Sequence, residues 1–300
     1  MESAHIIKSI HQINQNKGEA TLHPLITVFS QEGKAPMPAR LYKTNLYLIF
    51  LKDSFCADIV YGRKNYDYQE GTLVFIEPGQ EFGLEYVGLP LSQPNGWSIA
   101  FHPDFIKGTS LQRSISQFQF FKYAVNEALH ISQKERAFIT DMFLKLRYEL
   151  EHSVDKHSRE ILVAHLELLL KYCQRFYERQ FHTRDQENQN LSACLLEILE
   201  QYMNDESLIK YGPPNVGYCA QKLSLSPNYF GDLIRQQIGV SAQEFIQSFL
   251  IELSKEKMAD KSLNIKEIAF ALGFEYPNHF SRFFKNQTGI APSNFRMSLN

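Results

Sequence analysis

The chain has 300 residues, of which 44% are hydrophobic and 21% are charged, and its formal net charge is −2. This composition is typical of a globular protein with about two domains, and it excludes a disordered or fibrous chain. A near-neutral charge points to neither nucleic acid nor membrane, although a local basic patch would still bind DNA. No apolar run approaches the ~18 residues of a membrane span, and the first residues lack a signal-peptide core, so we expect a cytoplasmic protein.

The segment from about Thr21 to Phe101 is rich in aromatic and β-branched residues and is interrupted by turn signals. Its apolar patterns predict short strands at 46–51, 55–59, 71–76, 81–87 and 96–101. Pro78 and Gly79 suit the central positions of a type II turn. Such closely spaced strands favour an antiparallel barrel or sandwich over alternating strand–helix units, without fixing the strand order.

Two amphipathic helices are predicted between residues 126 and 182. The first begins at Ser132, which stands three residues before Glu135 in a capping-box spacing, and the second runs from His157 to Gln180. The apolar pattern of the first is Phe138, Met142, Phe143, Leu146 and Leu150, and that of the second is Ile161, Leu162, His165, Leu168, Leu169 and Tyr172. These stripes would either pack within the chain or form a dimerisation face.

The stretch from Glu178 to Asn190 is the most polar in the chain and has no apolar periodicity, so we predict the main linker there. A helix follows from Leu191 to Tyr202. The predicted organisation is a strand-rich domain at 1–125, a helical hairpin at 126–182 and a helical domain at 190–300.

The C-terminal region contains an internal duplication, in which residues 227–245 recur 50 positions later at 277–295. Upstream the offset drops to 49, because Ala220 matches Ala269, so the second copy has one more residue in its turn. Each copy is predicted to form a short helix, a tight turn and a second helix. Gly273 suits the left-handed end of a helix, and Pro277 suits the first position of the next.

This pattern is that of a helix-turn-helix, whose second helix enters the DNA major groove. We predict recognition helices at 227–238 and 277–288, joined by a helical spacer from Ala242 to Asp260. The spacer would span about 27–30 Å, close to the roughly 34 Å between successive major-groove openings on one face of DNA. One chain would thus present two recognition helices to successive major grooves.

The outward side chains of these two helices are the candidate DNA contacts. Arg282 can bind guanine, Asn278 can pair with adenine, and Lys285 suits a phosphate. In the first copy, Gly231 and Asp232 occupy the positions of Ser281 and Arg282, so we expect this copy to contribute less specificity. The predicted DNA-binding residues are Asn228, Arg235, Asn278, Ser281, Arg282 and Lys285.

The C-terminal sequence resembles the AraC-type (AraC/XylS) family of bacterial transcription regulators over about Val216 to Arg296. The resemblance rests on Ile268-Ala269-x-x-x-Gly273-Phe274, Pro277-Asn278-x-Phe280-Ser281-Arg282-x-Phe284-Lys285 and Gly289-x-x-Pro292-x-x-Phe295-Arg296. It implies a double helix-turn-helix domain that binds a promoter, and an N-terminal cupin-like barrel that senses a small effector or mediates dimerisation. A homodimer and contact with RNA polymerase are further implications. Phe249 and Leu250 stand near the middle of the spacer, where family members often carry an arginine, so no phosphate contact is assigned to them.

The main alternative is a cupin-type enzyme with a DNA-binding tail, since such barrels hold metals with histidines and a carboxylate. The strands contain no His-x-His, and Glu81 follows the Pro78-Gly79 turn where such enzymes carry a histidine. His102 and Asp104 resemble a ligand pair, but a strand-end cap is the simpler role. We therefore expect neither enzymatic activity nor a metal or cofactor.

Neither the cysteines nor the aromatic residues identify a further site. The four cysteines, Cys56, Cys173, Cys194 and Cys219, are too scattered for a zinc ribbon or a disulfide scaffold, and Cys219 is expected to be a packing residue. Candidates for lining a ligand site are Arg40, Tyr42, Tyr61, Tyr66, Tyr68, Phe82 and Trp97, although core or rim packing is the simpler role for each. The ligand-binding residues are left unassigned.

Overall fold

The computed structural model describes residues 4–35, 38, 41–52, 71–83, 95–124, 127–152, 155–187, 191–205 and 207–299. The chain forms two compact units, Met1–Gln180 and Phe181–Asn300. No helix among these residues is both long enough and apolar enough to cross a membrane.

The N-terminal unit contains short strands and peripheral helices. Its strands are β1 (His5–Ile7), β2 (Ile26–Ser30), β3 (Leu41–Thr44), β4 (Tyr47–Lys52), β5 (Thr72–Ile76), β6 (Glu81–Gly83), β7 (Gly96–Phe101) and β8 (Leu129–His130). Its helices are α1 (Ile10–Lys17), α2 (Pro103–Ile106), α3 (Ser110–Ser114), α4 (Gln133–Glu151) and α5 (Ser158–Glu187).

The described strands form two sheets, a three-stranded one in the order β1-β3-β6 and a five-stranded one in the order β2-β7-β4-β5-β8. Neighbouring strands are antiparallel except β1 and β3, whose parallel pairing the sequence did not predict. The α+β class is confirmed, with strands in the N-terminal part and helices in the C-terminal part. A closed cupin-like barrel is not confirmed, because the two sheets are separate in the described part of the chain.

Four of the predicted strands match β4, β5, β6 and β7, whereas 55–59 and 84–87 lie outside the described residues. Gly79 has φ 91, the left-handed value that the predicted turn requires at its third position. Tyr42 is buried and stacks on Phe82 with ring centroids 5.5 Å apart, which confirms a packing role for both. Arg40, Tyr61, Tyr66 and Tyr68 lie outside the described residues.

The predicted hairpin is present as α4 and α5. Ser132 and Glu135 form the capping box at the start of α4. Glu135 pairs with Arg179 at 3.0 Å, and the rings of Phe138 and Tyr172 lie 4.6 Å apart, so the two helices run antiparallel. Phe138 is 40% exposed although its ring contacts Tyr172. Helix α5 continues to Glu187, so 178–187 is helical and not an irregular linker.

The C-terminal unit is helical. Beyond the end of α5 it contains α6 (Leu191–Met203), α7 (Ser207–Tyr211), α8 (Val216–Lys222), α9 (Pro227–Ile238), α10 (Ala242–Ala259), α11 (Ile265–Ala271), α12 (Pro277–Thr288) and α13 (Pro292–Ser298). The predicted recognition helices coincide with α9 and α12, and the spacer is α10. One apolar core joins α6, α8, α9 and the first half of α10, and a second joins α11, α12 and the rest of α10.

Candidate nucleic-acid interface

The two helix-turn-helix copies share one turn geometry. The amide of Leu225 donates to the carbonyl of Ala220 at 2.9 Å, and the amide of Phe274 donates to that of Ala269 at 3.0 Å. Between these bonds, Ser224 (φ 58) and Gly273 (φ 82) both adopt the left-handed conformation that ends a helix. The duplication therefore holds through the turn, and the extra residue of the second copy falls after Phe274.

The two copies differ in the residue that precedes the second helix. In the first copy the Ser226 side chain accepts a hydrogen bond from the amide of Tyr229 and so caps α9. In the second copy Tyr276 occupies the cap position of α12 and provides no side-chain cap. The Tyr276 ring is 53% exposed and lies 5.2 Å from the His279 ring.

A serine at position 276 should stabilise α12. We expect Tyr276→Ser to raise the free energy of unfolding by about 1 kcal/mol, because its hydroxyl can accept the bond that Ser226 accepts in the first copy. Thermal and urea unfolding of the full chain measure this change, with Ser226→Ala as a matched variant that should lose a similar amount. A Tyr276→Ser chain no more stable than the wild type would contradict the capping argument.

Most of the predicted contacts on α12 lie at its surface. Asn278, Arg282 and Lys285 are exposed, opposite the buried Phe280 and Phe284. Ser281 is only half-exposed, and its hydroxyl donates to the Pro277 carbonyl at 3.0 Å. The hydroxyl of Ser281 is thus bonded within the helix, whereas the other three side chains point into solvent.

Three further exposed residues of α12, namely His279, Asn286 and Gln287, were not among the predicted contacts. Helical spacing alone could have identified two of them. His279 and Asn286 lie at i and i+7 with Arg282 at i+3, so all three lie on one side of the helix. The duplication does not reveal that His279 is exposed. Its counterpart in the first copy, Tyr229, is buried and packs on the Phe181 ring at 5.1 Å.

In the first copy, Asn228 and Arg235 are exposed on α9, as the prediction requires, and Asp232 is half-exposed. Gly231 borders open space, since a Cβ at this position would meet no atom within 4 Å. The outward face of α9 therefore carries one cation, Arg235, and one anion, Asp232. The outward face of α12 carries two cations, Arg282 and Lys285.

Arg296 does not belong to this exposed surface. Its Nη1 donates to the carbonyl of Leu263 at 2.6 Å, and its Nε and Nη2 atoms are buried. The guanidinium thus joins α13 to the loop before α11 and serves packing instead of DNA contact.

An open groove of about 380 Å³ runs beside α12. It is lined by Gln247 of α10 and by His279, Arg282, Phe283, Asn286 and Gln287 of α12. The amide of Gln287 donates from Nε2 to the Gln247 Oε1 atom at 3.1 Å, which bridges the two helices. These six residues include no carboxylate, so the groove offers polar donors and one cation.

A family model for a helix-turn-helix domain matches residues 219–298. The chain is 27% identical over 139 residues to the transcriptional activator RhaS of Escherichia coli O139:H28, covering 46% of this chain and 45% of that protein. It is 33% identical over 82 residues to the arabinose operon regulatory protein of E. coli K12, covering 27% and 28%. The C-terminal domain is of the AraC type.

The chain spans less than half the length of the curated relatives it matches. Among solved structures, ToxT from Vibrio cholerae O395 aligns over 92% of this chain and 97% of its own, with 15% identity and a TM-score of 0.30.

His102, a candidate metal ligand, and Cys219 both have structural contacts. The Nδ1 atom of His102 accepts from the amide of Asp104 at 3.2 Å, so His102 caps α2 as expected. Cys219 is buried in the first helix-turn-helix core, and burial raises the pKa of its thiol to about 11, which confirms a packing role. Within the described ranges, no three histidine, cysteine or acidic side chains cluster closely enough to hold a metal ion.

Proposed function

We propose that the protein is a sequence-specific DNA-binding transcription regulator that inserts α9 and α12 into successive major grooves. The observation that carries this proposal is the exposure of Asn278, Arg282 and Lys285 on the second helix of an AraC-type helix-turn-helix. The spacer α10 has 18 residues, or about 27 Å at 1.5 Å per residue, which approaches the roughly 34 Å of one DNA turn.

The proposed contacts differ between the two copies. On α12, Arg282 and Asn278 read base edges and Lys285 binds a phosphate, with Ser281 as an additional contact once its hydroxyl turns from Pro277. On α9, Asn228 and Arg235 make the contacts. Because Gly231 and Asp232 stand where α12 carries Ser281 and Arg282, α9 offers fewer base contacts and α12 supplies most of the specificity.

Selection of bound DNA from a random library by the full chain tests this function. We expect an enriched site with two blocks about one helical turn apart, the stronger block belonging to α12. The absence of any enriched sequence from a folded chain would overturn the proposal.

Dimerisation through the hairpin is the second part of the proposal. Ile161 and Leu168 are 40% and 47% exposed, and they lie on one face of α5 with Tyr172, which contacts Phe138. An apolar stripe on two antiparallel helices suits the self-complementary contact of a twofold homodimer. A dimer would place two pairs of recognition helices on two half-sites.

Replacing Leu168 with glutamate should convert the dimer to a monomer, because a charge would be buried at its centre. Sedimentation velocity of the full chain measures the change. Leu144→Glu is the matched control, since Leu144 is 48% exposed and points from another side of α4. A wild-type chain that sediments as a monomer, or a Leu168→Glu chain that remains dimeric, would contradict the hairpin interface.

In this proposal the N-terminal unit forms the cupin-like domain that responds to a small effector, and the DNA-bound protein contacts RNA polymerase. The relatives support regulation of transcription, since they are named as a transcriptional activator and an operon regulatory protein. The alternative of a cupin-type enzyme has no supporting observation among these relatives. Effector control is tested by repeating the DNA-binding assay with candidate ligands and the selected site.

A further inference from the structure

The groove between α10 and α12 adjoins the surface proposed to read DNA bases. Its α12 wall contains His279, Arg282 and Asn286, which are all exposed and follow one side of the helix. DNA in contact with Arg282 would therefore lie over the opening of the groove. The opposite wall is provided by Gln247, which belongs to the spacer and not to the inserted helix.

Gln247 has the chemistry to bind an anion at this place. Its Oε1 atom accepts the bond from Gln287, which leaves its NH2 group to donate. The Arg282 guanidinium adds positive charge in the same groove. The acidic residues Glu252 and Glu256 of α10 lie on the other side of that helix at 3.6 residues per turn. Glu244 lies one turn before Gln247, but it does not line the groove, and its carboxylate accepts from the Ser241 amide at 2.8 Å.

Base edges are reached by the inserted helix itself, whereas at least half of protein–DNA hydrogen bonds go to the phosphates and sugars that border the groove. We propose that Gln247 donates a hydrogen bond to a backbone phosphate in this groove, with its side chain held in position by Gln287. This inference rests on the proposed function and adds a sequence-independent contact made by the spacer.

The test measures the affinity of the full chain for its selected site and for a scrambled duplex at several salt concentrations. Gln247→Met keeps the side-chain volume and removes the donor, so both duplexes should bind about 10-fold more weakly, as expected for losing one hydrogen bond to a charged acceptor. The salt slope should stay unchanged, because a neutral amide releases no counterion. Gln247→Lys should instead tighten both duplexes and steepen the salt slope by about one.

Gln287→Met should weaken binding in the same way, and the double variant should lose little more than either single one, since the two amides act as a pair. Gln243→Met is the matched control, because Gln243 is exposed on α10 and does not line the groove. If the wild-type chain binds DNA and Gln247→Met binds it with the same affinity, the phosphate contact is wrong but the proposed function stands. The same conclusion follows if Gln247→Met loses affinity only for the selected site. A wild-type chain that binds neither duplex would overturn the proposed function as well.

Discussion

Replacing Gly273 with alanine should lower the free energy of unfolding of the C-terminal unit by roughly 3 kcal/mol. Two effects add. Left-handed φ costs an alanine about 1–2 kcal/mol, and overpacking costs about 1–3 kcal/mol. A Cβ on Gly273 would lie 2.7 Å from Leu208 Cδ1, 2.9 Å from the Gly212 carbonyl carbon and 3.0 Å from the Pro213 nitrogen. Two of these three atoms belong to the backbone, so a side-chain rotation cannot relieve the clash.

Urea unfolding followed by circular dichroism measures the loss. Gly231→Ala is the matched control, because Gly231 lies inside α9 with open space around it, and alanine there should stabilise the helix by about 0.5–1 kcal/mol. If both alanine variants unfold at the same urea concentration as the wild type, the close approach at Gly273 does not hold in solution.

Replacing Arg282 with alanine should reduce the preference for the selected DNA site by about 1–3 kcal/mol, because one bidentate contact to a base edge is lost. Fluorescence anisotropy with the selected site and its single-base variants measures this preference. The loss should concentrate at one base pair, where all four bases then bind alike. Because Arg282 is exposed, the variant should remain within about 0.5 kcal/mol of wild-type stability.

Lys285→Ala separates base readout from charge, since Lys285 is an exposed cation of the same helix. A phosphate contact carries no sequence information, so all duplexes should bind more weakly by the same factor and the salt slope should flatten by about one. If Arg282→Ala behaves as Lys285→Ala does, both residues bind phosphate. If neither variant differs from the wild type, α12 is not the reading helix.

The bounds of α9 and α12 were predictable to the residue because the ends of these helices are encoded locally. Pro227 and Pro277 fit the first helical position, and Gly239 and Gly289 have the positive φ that ends a helix. Between these ends, the amphipathic periodicity predicted which side of each helix faces the core. The strands β4, β5 and β7 were predictable for a similar reason, since their apolar runs end at turn residues.

Other features depend on contacts between residues far apart in sequence. Tyr229 and His279 occupy equivalent positions in the two copies, so the duplication predicts the same burial for both. In the structure Tyr229 is buried against Phe181, whereas His279 is exposed. The bond from Arg296 to the Leu263 carbonyl joins residues 33 positions apart, so no local pattern contains it. The groove exists only because α10 and α12 approach each other, so no local pattern contains it.

The close approach at Gly273 has a mechanical consequence for the two helix-turn-helix copies. The carbonyl of Gly212, in the loop between α7 and α8, accepts from the Tyr202 hydroxyl at 2.8 Å, while the same loop touches Gly273 in the second copy. The second copy is thus attached through α10, through this loop and through Phe283, which packs against the core of the first copy. With several attachments, no single hinge remains about which one copy can pivot. If α9 and α12 both bind DNA as proposed, the distance between them is set by the protein, and DNA with imperfectly spaced sites has to bend or twist to fit.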